Sequence, residues 1–312
     1  MFKNKEYVLT VYKEGSFTKA AEKLFVSQPS LSASVKRIED RIGAPVFDRS
    51  STPVTLTEVG REYVKYALEI EDKENDFSRY ISDHTNLLTG KIRVGGSSFF
   101  SSFVIPNLIS DFNKKHSKIN FEIFEDSTKN LMKKLSDGEL DIIIDNAITD
   151  DENIISEVYK EERLLIVVPK RFKCNDLLKD YALSAEDVKN NKHLELGGSV
   201  ELNAFRKEPF VLLHNENDTG KRANKLFKKY DVSPKVIFQL DQQVTAYNVA
   251  CSGMGITFVS DTLVKSIGAS PDVYYYKLPD NSTIRNVYFY RKKNHYLSLA
   301  CRKFIEYNVK VK

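Results

Sequence analysis

Apolar and polar positions alternate most regularly near the start of the chain. Leu31, Val35, Ile38 and Ile42 are spaced four, three and four residues apart, the single apolar stripe of one helix. Pro29, Ala33 and Lys36 point away from that stripe, and Gln28, Ser30 and Ser32 flank the exposed face. Before it, TKAAEKLF predicts a short helix with Ala20, Ala21 and Leu24 on one side, small enough for close packing. Val26 and Ser27 make the turn between the two. Ser27 can accept a free backbone N–H as N-cap, and Pro29 falls in the first turn, where its missing N–H costs nothing. After the long helix, Val46 and Phe47 face inward and Arg49 outward, residues 50–53 form a hairpin tip, and 54–56 return. Thr57 caps the next helix, with Gly60 close behind. A plain helical hairpin would not need the wing and the capped exit as well, so the pattern predicts a winged helix-turn-helix.

In such a unit the apolar side of the second helix lies on its own domain, and its N-terminal polar residues meet base edges in the major groove. Gln28 suits a bidentate contact to adenine, Ser30 and Ser32 suit single hydrogen bonds, and Lys36 and Arg49 suit phosphates.

Residues 57–88 predict one long helix. Val59, Tyr63, Tyr66, Ile70, Phe77, Tyr80 and Leu87 keep a/d heptad spacing, interrupted by Lys73 and His84. Such a seam predicts a helix–helix interface, with a lone amphipathic helix lying on its own domain as the alternative. From Lys91 the pattern changes to strand, helix, strand, helix, strand over 92–94, 103–116, 119–124, 131–136 and 141–144, the order of a parallel sheet with helices outside. A similar order returns over 210–213, 221–230, 236–240, 243–251 and 255–259. Crossings between the two units are expected near 163–168 and 265–277, and a strand at 287–290 and a helix over 297–307 finish the first.

Composition narrows the class. The 312 residues are 41% hydrophobic and 29% charged, which fits a soluble globular protein. No run is apolar enough for a membrane helix, and MFKNKEYVLTVY lacks a signal peptide's core and cleavage site, so the cytoplasm is the expected location. Net charge is +4, and residues 1–60 hold nine basic and seven acidic residues, so arrangement rather than bulk charge argues for DNA. Cys174, Cys251 and Cys301 are far apart and show no metal or redox spacing. No cofactor motif, nucleophile elbow, P-loop or zinc motif occurs, which argues against an enzyme.

The run SFTKAAEKL, then SQPSLS, IEDRIGAPVFDR and LTEVG closely resembles the N-terminal domain of LysR-type transcriptional regulators. The resemblance extends by pattern over nearly the whole chain. It implies an α/β protein with a winged helix-turn-helix over residues 1–58, a linker helix for dimerisation over 59–89, and a two-lobed, periplasmic-binding-protein-like effector domain over 90–312. Lobe I would hold about 90–162 and 268–312, and lobe II about 163–267. Residues at Thr18, Ser27, Gln28, Pro29, Ser30, Ser32 and Arg49 would lie at or near DNA, with Thr52 and Pro53 at the wing. Ala33 and Ser34 stand where long polar side chains are common, and Thr52 replaces the usual wing cation, which shifts weight toward DNA shape. The family's redox sensors carry two nearby cysteines, a pair this chain lacks. The resemblance also implies a tetramer of two dimers, an inverted-repeat promoter site, and contact with RNA polymerase on activation.

In open α/β sheets, ligands sit beyond the strand ends, near helix N-termini that favour anions. Ser97, Ser98, Thr128 and Asn146 occupy such places in the first lobe, and His214, Asn215, Thr219 and Gln242 in the second. A small carboxylate held by Ser97, Ser98 and Thr128, with Phe99 on an apolar side, is one expectation. Asp126, Glu216 and Asp218 leave an amino-acid-like effector equally open. The readings that compete with a sequence-specific DNA-binding regulator are a cytoplasmic small-molecule-binding protein without specific DNA readout and a redox-responsive regulator.

Overall fold

Helix caps and one apolar stripe account for most of the first 84 residues. The computed structural model describes residues 1–50, 53–84, 90–195, 197–268 and 270–310, apart from the side chains of Ser82, His84 and Lys310. These fall into two units, Met1–Thr85 and Asn86–Lys312.

The first unit runs α1 (Lys5–Glu14), α2 (Phe17–Lys23), α3 (Gln28–Ile42), β1 (Phe47–Asp48), β2 (Thr55–Leu56) and α4 (Glu58–His84). Ser16 caps α2 by accepting the Lys19 N–H, and Ser27 caps α3 by accepting the Ser30 N–H. Leu31, Val35 and Ile38 are buried against Val8, Val11, Ala20, Val46 and Phe47, and α4 adds Tyr63, Val64 and Ala67. The sequence pattern does not reveal α1, whose three buried residues Val8, Leu9 and Val11 cover too few turns to show a period. Tyr63, expected in the exposed seam of α4, instead stacks on Phe2 at 4.9 Å inside this core. Ser34 is buried and accepts a hydrogen bond from Arg37, so it does not share the outward face of Ala33. Val59, Tyr66, Phe77 and Tyr80 remain exposed along α4. Ser51 and Thr52 of the wing tip and residues 85–88 of the expected helix lie outside the described residues.

The second unit begins with β3 (Gly90–Gly96) and the wide π-type turns Phe100–Val104, which lead into α5 (Ile105–Asn113). It continues through β4 (Ile119–Glu125), α6 (Thr128–Ser136), β5 (Ile142–Asp145), β6 (Ile154–Pro169), α7 (Ala185–Lys189), β7 (Pro209–Leu213) and α8 (Asp218–Lys229). Then follow β8 (Lys235–Leu240), α9 (Gln243–Cys251), β9 (Thr257–Ser260), α10 (Asp261–Ser266), β10 (Val273–Lys277), β11 (Ile284–Lys292) and α11 (Leu299–Lys310). In the first lobe β3 is parallel to β4 and β5, while β11 runs antiparallel to β5 and to residues 154–163 of β6. In the second lobe β6 continues through 164–169, antiparallel to β9 and β10, and β7 is parallel to β8. One 16-residue strand therefore threads both lobes. Sequence reasoning missed its first half because IISEVYKEER is half exposed and rich in charge. The return crossing comes later than the expected 265–277. Strand β10 still pairs within the second lobe, so the chain crosses back between Lys277 and Ile284. The helix expected from 103 begins earlier, and Phe99 and Phe100 are buried in its first turns.

Two glycines set close approaches. A Cβ on Gly60 would lie 1.9 Å from the Val46 carbonyl oxygen, so only glycine lets α4 rest on the strand entry. A Cβ on Gly220 would lie 2.3 Å from the His214 carbonyl oxygen, which seats the first turn of α8 against the end of β7. Because a backbone carbonyl cannot rotate away, Gly60→Ala should destabilise the first unit by about 3 kcal/mol or more, beyond the usual overpacking cost. Urea denaturation followed by circular dichroism checks this; an unchanged midpoint would contradict the packing described.

Candidate nucleic-acid interface and ligand cavity

The N-terminal end of α3 is open to solvent. Thr18, Ser27, Gln28, Pro29, Ser30, Lys36, Arg49 and Pro53 are exposed, and Ser32 is half-buried. Arg49 does not extend freely. Its Nη1 donates to Ser32 Oγ at 3.1 Å, its Nη2 to Glu39 Oε2 at 3.2 Å, and its guanidinium lies 4.6 Å from the Phe17 ring centroid. A guanidinium has five N–H donors, so this bracing leaves donors for a phosphate while fixing where they point. Glu39, which the sequence reading passed over, organises the entry to the wing. Its Oε1 accepts the Val46 and Phe47 N–H groups, and its Oε2 holds Arg49.

In the second unit a cavity of ≈ 410 Å³ opens between the two lobes. Of the expected effector residues, Ser97, Phe99, Thr128, Asn146, Thr219 and Gln242 line it, and Ser98, His214 and Asn215 do not. The cap of α8 is Asn217, whose side chain accepts the Thr219 N–H. Thr128 is turned toward a carboxylate rather than left for an anion: its hydroxyl donates to Asp145 Oδ2 at 2.8 Å. Asp145 Oδ1 accepts the N–H groups of Asn146 and Ala147 at 2.7 and 3.0 Å. Burial pushes the Asp145 carboxyl up, against the lowering effect of these donors.

Beside it lies a buried polar network that joins the lobes. Arg285, 5% exposed, donates from Nε to Glu162 Oε1 at 2.7 Å. Its Nη1 donates to Asp218 Oδ2 at 2.7 Å and Thr219 Oγ1 at 3.0 Å. Glu162 Oε1 also accepts from Asn146 Nδ2, and Thr219 Oγ1 from Gln243 Nε2. Gln243 Oε1 in turn accepts from Ser260 Oγ. Burial disfavours the charged guanidinium, but the two carboxylates outweigh it and hold the Arg285 pKa above its ordinary value. Asp145, Gln243 and Arg285 also line the cavity, the first two with no local signal in their own segments, while Asp218 and Glu216, two of the carboxylates that left an amine-bearing effector open, line it too. One signal was present for Arg285: it occupies an apolar strand face with Val287 and Phe289, where an unpaired cation would not be buried.

The cysteines stay apart from this chemistry. Burial, reinforced by Glu208, pushes the Cys174 thiol up to about 12, and Cys301 is buried. No helix among the described residues is long and apolar enough to cross a membrane.

Residues 2–61 match the family model described as a bacterial regulatory helix-turn-helix protein of the lysR family, and residues 85–311 match the LysR substrate binding domain. An uncharacterized HTH-type transcriptional regulator, YcgK of Bacillus subtilis, is 25% identical over 304 residues, covering 96% of this chain and 91% of that protein. Among solved structures, a full-length OxyR from Pseudomonas aeruginosa has a TM-score of 0.71 at 21% identity, covering 98% of this chain and 93% of that one. Full-length CbnR, solved with its target DNA, has a TM-score of 0.63 at 15% identity, covering 100% and 99%.

Breaking a buried ion pair strands the partner charges, at a typical cost of about 3–5 kcal/mol. Arg285→Leu should therefore lose about that much stability in the second unit, and Arg285→Lys, which keeps the charge but not the fork, should lose less. Urea titrations of the three proteins measure this. Equal midpoints for Arg285→Leu and wild type would show that the network contributes no stability.

Proposed function

We propose that this chain, which belongs to the LysR family of transcriptional regulators, reads promoter DNA through the N-terminus of α3 and alters that reading when a small molecule enters the cavity between its lobes. The observation that carries the DNA reading is the exposed polar start of α3 beside an Arg49 braced in place. Gln28 and Ser30 meet base edges, Ser32 lies next to them, and Arg49 and Lys36 meet phosphates. Thr18, Ser27 and Pro53 flank the backbone contacts. The solved complex of CbnR with its target DNA, a protein of the same fold, supports this use of the unit.

The exposed line of Val59, Tyr66, Phe77 and Tyr80 along α4 is the surface where a second copy pairs. Two copies of α3 related by a two-fold axis then require an inverted-repeat site. Two such dimers form the tetramer, and RNA polymerase is the partner when the bound protein activates. The cavity takes residues from both lobes, so a ligand there favours one lobe arrangement over another, which is what control of the assembly requires.

Fluorescence anisotropy on a selected site and on random DNA separates the contacts. Gln28→Ala should lose about 1–3 kcal/mol on the selected site alone and relax one base position. Arg49→Ala should weaken binding to both, with a shallower salt dependence. Equal losses on both DNAs for both folded variants would contradict these roles. Phe77→Asp should move the protein toward monomer in sedimentation velocity while leaving its helix content unchanged. An oligomer that persists would place the interface elsewhere.

A further inference from the structure

Charge varies with depth in the cavity. At its floor Asp145 is 3% exposed; its hydrogen-bond partners are neutral donors, the Thr128 hydroxyl and two backbone N–H groups, and Arg285, already shared by two other carboxylates, acts on it only through space. Behind Asn146 stands Glu162, whose Oε1 is satisfied by Arg285 and Asn146 while its buried Oε2 meets no donor. Asp218 takes both Arg285 and Arg222. Three carboxylates thus face two guanidiniums, and the floor is short of one positive charge. A buried carboxylate with too little countercharge is costly; taking up a proton or meeting a cation relieves it, and a protonated amine at hydrogen-bond distance supplies either.

The mouth has the opposite sign. Lys129 in the first turn of α6 and Lys221 in the first turn of α8 come from different lobes, and both are exposed. Neither is paired to a carboxylate among the described residues, and Glu216 offsets part of their charge. Helix N-termini add to the attraction for an anion there. The volume, ≈ 410 Å³, lies at the small end of the ~300–1,000 Å³ range of small-molecule sites.

We infer that the effector is amino-acid-like: its protonated nitrogen lies on Asp145 at the floor, and its carboxylate lies toward Lys129 and Lys221, where it ties the two lobes together. Phe99 and Phe100 line the cavity as an apolar wall for its carbon skeleton. This inference rests on the effector reading of the same cavity, and it replaces the expectation of a simple carboxylate bound by Ser97, Ser98 and Thr128.

The test uses full-length protein and small molecules extracted with acid from cells of the source organism. A cation-exchange resin divides the extract into a retained, amine-bearing fraction and a flow-through of acids and neutral compounds. The retained fraction should raise the Tm of wild type by at least ~2 °C and leave Asp145→Asn unmoved. Without extract, Asp145→Asn should melt at the wild-type temperature or higher, because it removes an uncompensated buried charge; a lower Tm would make the carboxylate structural and overturn the inference. The surface variant Lys129→Ser/Lys221→Ser should lose most of the shift given by the retained fraction, and an undiminished shift would overturn the placement of the carboxylate. A shift from the flow-through alone would leave an effector but overturn its amino-acid character. No shift from either fraction would overturn the effector reading itself.

Discussion

Arg285 is the charge around which the second unit is organised. It is the second residue of β11, just after the chain returns from one lobe to the other. Its first partner, Glu162, lies on β6 just before that strand passes into the second lobe, and its other partners, Asp218 and Thr219, open α8. Both crossings of the chain and a second-lobe helix are therefore held by one guanidinium. Such a buried ionic centre is a poor source of net stability but a strong constraint on geometry, because any arrangement that separates its members strands charges in a low-dielectric interior. The cavity lies against this centre, and Arg285, Asp218 and Thr219 line it directly. A ligand that adds charge there acts on the groups that fix how the lobes meet.

The first unit depends on contacts of a different kind. Its geometry comes from steric closeness at Gly60 and from Glu39, which accepts two backbone N–H groups at the entry to the wing and one end of the Arg49 guanidinium. The proposed recognition surface is thus carried on a braced base. Gln28 and Ser30 sit on the first turn of a capped helix, and Arg49 is held between an aromatic ring, a serine and a carboxylate. Fixing a cation in advance reduces the ordering cost when it meets a phosphate.

Legibility followed the range of the interactions. The stripe of α3, its Ser27 cap, the wing and the Thr57 cap of α4 are local patterns, and the sequence shows them. The alternation of strands and helices was also readable, because buried strands such as β5 carry unbroken apolar runs. Tyr63 was misplaced because heptad spacing does not say which face of a helix its own domain uses first. The full length of β6 was hidden by charges on a half-exposed strand, and with it the later return crossing. Six of the nine effector candidates line the cavity, since strand ends and helix starts are positions a sequence can mark. The groups that set its polarity, Asp145, Glu162 and Arg285, are brought together by strand pairing, which no single segment encodes. Only the cation on the apolar face of β11 hinted at them.

If this chain recognises particular promoters and a metabolite alters that recognition, one experiment shows both. The most direct measurement recovers genomic fragments of the source organism that bind the purified protein in competition with excess random DNA, with and without small-molecule extract. A few enriched promoters that share an inverted repeat are expected, with a protected region that changes when extract is added. No enrichment under either condition, from protein that is folded and oligomeric, would contradict promoter recognition.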